Sequence, residues 1–176
     1  MNKNELNEYI KKAEEGDVNS QLILGLTYLK GDNEIPANDK EAFKWFKAAA
    51  EQGDAEAQFN LGVCYSKGEG VKQDYNEAFR WFKAAAEQGY APAQNNLGVC
   101  YLMGNGVKQD HNEAFRWFKA AAEQGEVGAQ NNLGIYYEYR LGGIQNYKEA
   151  YYWYLISFRN GYTDAEQDVK RIENKL

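Results

Sequence analysis

The chain has 176 residues and a formal net charge of −6, from 20 Lys and Arg against 26 Asp and Glu. With 44% hydrophobic and 26% charged residues there is apolar material for a packed core, which excludes a disordered or fibrous chain. The acidic balance argues against a nucleic-acid binder, which concentrates Lys and Arg. No apolar run approaches the ~18 residues that read as a bilayer span, and two cysteines make no disulfide framework.

The first predicted element is a charged helix over 4–15, with Leu6, Ile10 and Ala13 on one face at helical spacing. Four pairs of helical segments follow at 18–51, 55–88, 91–124 and 127–160. A last charged helix over 164–175 keeps Ala165, Val169 and Ile172 on one face. The pairs are copies of one unit, so residues 1–176 read as one repeat array with a lone capping helix at either end, the last a solubilising cap over the final hairpin. Gly53, Gly89, Gly125 and Gly161 recur at 36 residues, with Gly16 at 37 before the first of them. Gly25, Gly62, Gly98 and Gly134 form a second ladder, and Ala42, Ala78, Ala114 and Ala150 a third. One inserted residue in the first connection, 31–38, accounts for both 37-residue steps.

Residues 54–89 show the unit. Its first helix, about 55–67, places Ala57, Leu61 and Tyr65 four apart on one face, and Gly68-Glu69-Gly70 ends it. Its second helix, about 75–88, starts with Asp74 and Glu77 at the spacing of a capping box. The same offset recurs at Asn38/Glu41, Asp110/Glu113 and Asn146/Glu149. Ala78, Phe82 and Ala85 form an inner stripe, while Phe79, Trp81 and Ala86 make a second apolar flank. Helices of this length are marginal alone. Two apolar flanks call for two neighbours, so each hairpin is expected to stack on the next. A mid-helix glycine costs about 1 kcal/mol relative to alanine, so Gly62, Gly98 and Gly134 predict a close approach of the two helices, against Ala78, Ala114 and Ala150. Trp45, Trp81, Trp117 and Trp153 share one phase of the second helix and read as scaffold.

The chemistry expected of an enzyme is sparse. The single histidine, His111, stands at a helix start where Tyr75 stands one unit earlier, and reads as an exposed helix-start residue with no nucleophile in its pattern. One histidine and two distant cysteines do not make a metal site. Gly68-Glu69-Gly70-Val71-Lys72 and Gly104-Asn105-Gly106-Val107-Lys108 follow helices and lack phosphate-loop spacing, so they are turns. No catalytic residue, metal or cofactor is expected. Cys64 and Cys100 share one phase of successive helices, and packed helices stand ~8–10 Å apart, beyond the ~7 Å Cα reach of a disulfide. Two buried thiols are predicted.

The recurrent pattern Ala-x-x-x-x-x-Leu-Gly-x-x-Tyr, then Gly-x-Gly-Val, then Ala-x-x-Trp-Phe-x-x-Ala-Ala-x-x-Gly resembles the Sel1-like repeat, a relative of the tetratricopeptide repeat. The resemblance covers essentially the whole chain; residues 135–148 depart from it in lacking Gly-x-Gly-Val. It implies an all-α fold, a right-handed α/α superhelical solenoid of antiparallel helix pairs whose first helices line a concave face. It also implies a non-enzymatic adaptor that binds a protein or peptide; many bacterial members are exported or linked to host interaction. Some bacterial members carry a disulfide within each hairpin, but no second helix here has a cysteine.

Comparison between units points to a binding face. Residues 54–89 and 90–125 differ at only seven positions, and four of these, 56/92, 59/95, 66/102 and 67/103, lie on one face of the first helix. By the family's geometry this face is concave. Along it, Leu22, Leu26, Phe59, Val63, Val99, Leu102, Met103, Ile135 and Tyr139 offer an apolar floor. Asn95 and Asn131 offer amides for the backbone of a bound segment. Two further ladders, Asn60/Asn96/Asn132 and Gln58/Gln94/Gln130, are expected to tie neighbouring helices. Tetratricopeptide repeats that grip a C-terminal carboxylate pair such an asparagine with a second one, whose place Val63, Val99 and Ile135 take here. A self-assembling scaffold using Tyr147, Tyr151, Tyr152 and Tyr154 is the alternative reading, and a hydrolase built on His111 or a cysteine the remote one. Neither nucleic-acid binding nor membrane insertion is expected; the cytoplasm is the expected location, with export left open.

Overall fold

The computed structural model describes residues 1–143 and 145–176. Among the described residues there are ten α-helices and no strand: α1 (Lys3–Glu14), α2 (Val18–Lys30), α3 (Asp39–Glu51), α4 (Ala55–Lys67), α5 (Tyr75–Glu87), α6 (Ala91–Met103), α7 (His111–Glu123), α8 (Val127–Tyr139), α9 (Tyr147–Arg159) and α10 (Ala165–Glu173). They form two compact units. The first, Met1–Gln88, holds α1 and the hairpins α2/α3 and α4/α5. The second, Gly89–Leu176, holds the hairpins α6/α7 and α8/α9, then α10.

The helix starts follow the capping residues, with one difference. The side chains of Asn38, Asp74, Asp110 and Asn146 each accept two backbone N–H bonds in the first turn of α3, α5, α7 and α9. The reciprocal half of the box is closed only in α1, by Asn2 and Glu5. In the repeats Glu41, Glu77 and Glu113 turn instead to Lys44, Arg80 and Arg116 one turn ahead, where an ion pair replaces the backbone contact.

The mid-helix glycines do mark a close approach, but mainly to a ring. A Cβ on Gly25, Gly62, Gly98 or Gly134 would stand 2.5, 2.7, 2.7 or 2.5 Å from the nearest ring carbon of Phe46, Phe82, Phe118 or Tyr154. The expected alanine enters only through its backbone: the Ala78 carbonyl would lie 3.3 Å from a Cβ on Gly62. The aromatic ring sits one helical turn beyond each alanine and fills the space that the missing side chain leaves. Gly70, at φ 71°, closes the same kind of gap in a turn, since a Cβ there would stand 2.1 Å from the Asp39 carbonyl oxygen.

Between hairpins the contacts repeat as well. The Gln21 amide donates to the Ala13 carbonyl and the Gln58 amide to that of Ala50, with both glutamines buried. Each then accepts from the glutamine that ends the next second helix, Gln52 or Gln88, at 2.8 Å. In the second unit Gln124 donates to Gln94 and Asn160 to Gln130 in the same way. A buried amide needs partners for both its ends, and this relay supplies them while fixing the register of one hairpin on the next. The glutamine ladder thus does what its recurrence predicts.

Trp45 is buried against Ala13 and Leu24, and Trp81, Trp117 and Trp153 are half-buried. The indole N–H groups of Trp45, Trp81 and Trp117 are buried without a hydrogen-bond partner. One unmet donor costs about 1–3 kcal/mol, which burial of ~150–250 Å² of ring at ~25 cal/mol/Å² outweighs. Cys64 and Cys100 are both buried free thiols, and burial pushes each up to about 11.

Candidate functional site

The candidate face lies partly in each unit. In the first, Leu22 packs on the core of α3 and α4, and Leu26 is exposed. The Phe59 ring tilts against Phe82 with centroids 6.0 Å apart, and Val63 is half-buried. Ser66 donates back to the Val63 carbonyl at 2.9 Å, and Lys67 pairs with Glu69 at 3.5 Å.

In the second unit the same phases are occupied differently. Val99 and Leu102 pack on the core of α7 and α8, and Ile135 on that of α9 and α10. Met103 and Tyr139, one period apart at the ends of α6 and α8, are 65% and 58% exposed. The Asn95 side-chain oxygen accepts from Asn132 at 2.8 Å, a bond that crosses between α6 and α8. Asn131 is only 8% exposed, and its side-chain oxygen has no hydrogen-bond partner. Of the predicted face, helix packing therefore absorbs much of Leu22, Val99, Leu102 and Ile135. Leu26, Met103 and Tyr139 are left open to solvent. The asparagine ladder divides: Asn132 ties two helices as expected, whereas Asn60 donates to Glu56 one turn back in its own helix.

His111 is half-buried and not exposed as expected. Tyr136, which stands at the phase of Cys64 and Cys100, is long enough to reach back to the start of α7. Its hydroxyl donates to the His111 carbonyl at 3.1 Å and lies 3.4 Å from Nδ1. Burial pushes the Tyr136 phenol up to about 12. Beside it, Asn112, Phe115, Tyr136, Tyr137 and Gly142 border a small cavity of about 100 Å³. Among the described residues no three His, Cys, Asp or Glu side chains are grouped to hold a metal ion.

Sequence reasoning missed the partners of one buried acid. Glu138 of α8 is 2% exposed. Arg171 clamps its carboxylate with Nε 2.9 Å from Oε1 and Nη2 2.6 Å from Oε2. Lys175 adds Nζ at 3.0 Å and Tyr154 donates its hydroxyl at 2.9 Å. Burial by itself would raise the Glu138 carboxyl, but the hydrogen bonds from Arg171, Lys175 and Tyr154 hold it at about 2. Burial and the hydrogen bond to Glu138 push the Tyr154 phenol well above its ordinary range. Two signals were present in the sequence: an acid at the phase of Ser66 and Leu102, and a hydroxyl added at the phase of Phe82 and Phe118.

Stacked antiparallel hairpins, a repeated glycine–ring contact and a glutamine relay define a helical-repeat solenoid of the kind that includes the tetratricopeptide repeats. The Sel1 repeat model matches residues 18–54, 55–90, 91–126 and 127–162, and the chain belongs to the Sel1 repeat family. A Sel1 repeat protein from Oxalobacter formigenes is 38% identical, with a TM-score of 0.87 over 93% of this chain and 65% of its own. A protective antigen present in uropathogenic Escherichia coli strains, which displays an SLR fold, is 42% identical, with a TM-score of 0.83 over 91% of this chain and 34% of its own. The chain thus spans less than two thirds of either protein. Helicobacter pylori cysteine rich protein B shares the fold at 24% identity and a TM-score of 0.56, over 72% of this chain and 90% of its own. A comparison with curated proteins found no matching sequence. The family's fold is commonly a protein-interaction module and generally a non-catalytic scaffold. No described helix is long and apolar enough to cross a membrane.

Proposed function

We propose that the chain is a non-enzymatic adaptor that binds a protein or peptide segment on the face of its first helices. The face of α6 and α8 supplies the observation that carries this reading. Met103 and Tyr139 stay open to solvent at one repeated phase, while on the same helices Asn131 keeps an unpaired, nearly buried amide oxygen. Exposed apolar side chains at one repeated phase suit a segment that brings apolar side chains to meet them. Phe59, Val63, Leu22 and Leu26 offer a second, more apolar stretch in the first unit. Asn95 contributes by holding Asn132 and so shaping the floor.

A displayed random-peptide library selected against the full chain tests the proposal. Peptides retained by the wild type are expected to bind Met103→Asp and Tyr139→Asp at least tenfold more weakly, and to bind Tyr152→Asp, on the exposed side of α9, unchanged. Equal binding to all four chains overturns the assignment. The aromatic-rich α9 gives little support to the self-assembly alternative. Tyr154 is fully buried, Tyr147 and Tyr151 pack on the terminal core, and Tyr152 alone of the four is exposed.

A further inference from the structure

The fourth hairpin departs from the others just after its first helix. Gly143 stands one and two periods of 36 residues after Val107 and Val71. In the first unit Val71 packs on the same core as Phe43, Cys64 and Tyr65. The counterparts of those three are Phe115, Tyr136 and Tyr137. The wall therefore gains a ring where it had a thiol, and the plug becomes a residue without a side chain. Leu141, two residues earlier, packs on the core of α7 and α8 but does not close the space. The cavity of about 100 Å³ lies here, bordered by the three rings with Asn112 and Gly142.

The walls hold one another. Phe115 and Tyr137 meet edge to face, with centroids 5.7 Å apart and planes at 90°. Phe115 and Tyr136 lie 5.9 Å apart at 47°. Rings crossing at such angles wall a corner, not a slot. The Tyr136 hydroxyl is spent on the His111 carbonyl, so this residue offers the cavity its ring. A cavity of ~150 Å³ takes benzene, and the smaller volume suits a rounded group of about five heavy atoms.

Charge selects the group. The faces of aromatic rings carry negative potential and attract a cation that comes close to the ring centre. Two carboxylates add to this field: burial, then Asp110, raises the Tyr136 phenol, and burial, then Glu149, raises that of Tyr137. Arg140, in the same connection, is exposed, and its Nε is held by the Gly143 carbonyl at 3.1 Å. A primary ammonium would give up its water and bring three N–H donors to a border with one side-chain amide, Asn112. A fully methylated ammonium has no N–H to satisfy.

We propose that the cavity between α7, α8 and the connection after α8 is an aromatic cage for a trimethylammonium group, carried by a choline-like molecule or by a methylated lysine. Phe115, Tyr136 and Tyr137 supply the rings, and the glycine at 143 leaves the room. The site does not rest on the binding face of Met103 and Tyr139, neither of which is among the described residues of its border.

The test titrates the full chain with choline and with 3,3-dimethylbutan-1-ol, in which carbon replaces the nitrogen and the shape is kept without the charge. Ring resonances followed by NMR are the readout. Choline is expected to shift those of Phe115, Tyr136 and Tyr137, and the alcohol to bind at least about tenfold more weakly. Phe115→Leu keeps an apolar wall and removes one ring, so it should weaken choline at least about fivefold. A peptide carrying trimethyllysine, set against the same peptide with lysine, separates the sources. Binding at least about tenfold tighter than choline assigns a protein partner, and binding no tighter assigns a small molecule. Equal binding of choline and the alcohol overturns the proposal, as does a set of rings that neither choline nor the methylated peptide shifts. The comparison of the two small molecules uses the wild-type chain, so it decides the matter even if Phe115→Leu disturbs the fold.

Discussion

Neutralising the buried acid by Glu138→Gln keeps the size of the side chain and removes its charge. Holding this carboxyl at about 2 instead of 4.5 corresponds, at about 1.4 kcal/mol per pH unit, to about 3 kcal/mol. The Arg171 and Lys175 side chains are 40% and 39% exposed, and screening at those ends reduces the figure to about 2 kcal/mol. The loss falls on α10, nine residues long and tied to the last hairpin through this carboxylate. Protection factors for α10 amides should therefore drop about 30-fold in the variant at pH 7, with α6 and α7 much less affected. The sign with pH follows from a depressed pKa. The charge-dependent stability is complete above pH 4.5 and is lost as pH falls towards 2, so wild type and variant should converge in that window. A variant within twofold of wild type at pH 7, or a gap that persists unchanged at pH 2, would refute the reasoning.

Three further outcomes follow from the packing. Gly98→Ala gains about 1 kcal/mol of helix propensity but forces a Cβ to within 2.7 Å of Phe118, an overpacking of about 1–3 kcal/mol. Urea denaturation should show a net loss, and Phe118→Leu in the same chain should be less harmful than the two losses added. Gln58→Leu removes the bond to the Ala50 carbonyl and one of the two bonds of the Gln88 amide, which keeps the Gly53 carbonyl; with two hydrogen bonds lost, a loss of about 1–3 kcal/mol is expected in the same assay. Because burial pushes Cys64 and Cys100 up to about 11, both should resist a thiol-disulfide reagent at pH 8 and react fully only in denaturant.

The period, the helix limits and the capping residues were legible in the sequence because each arises from contacts within a few residues: a glycine that stops a helix, an Asp74 that starts one, an Ala57–Leu61 stripe. Cys64 and Cys100 were legible because burial follows from phase alone. Partners across space were less so. The glycine ladder announced a close approach, but only packing shows that Phe82 and Phe118 fill it.

The sequence by itself determined that one hairpin recurs four times between two charged helices, since a 36-residue period is written directly in residue types. Tertiary structure decided what each outward position does. Val99, Leu102 and Ile135 share a helical phase with solvent-facing neighbours, yet touch the next helix and are largely spent on packing. Glu138 and Arg171, 33 residues apart, carry no local sign of their pairing; a buried charge is tolerated only where a second element brings it a counter-charge, and that meeting exists only once the chain has folded.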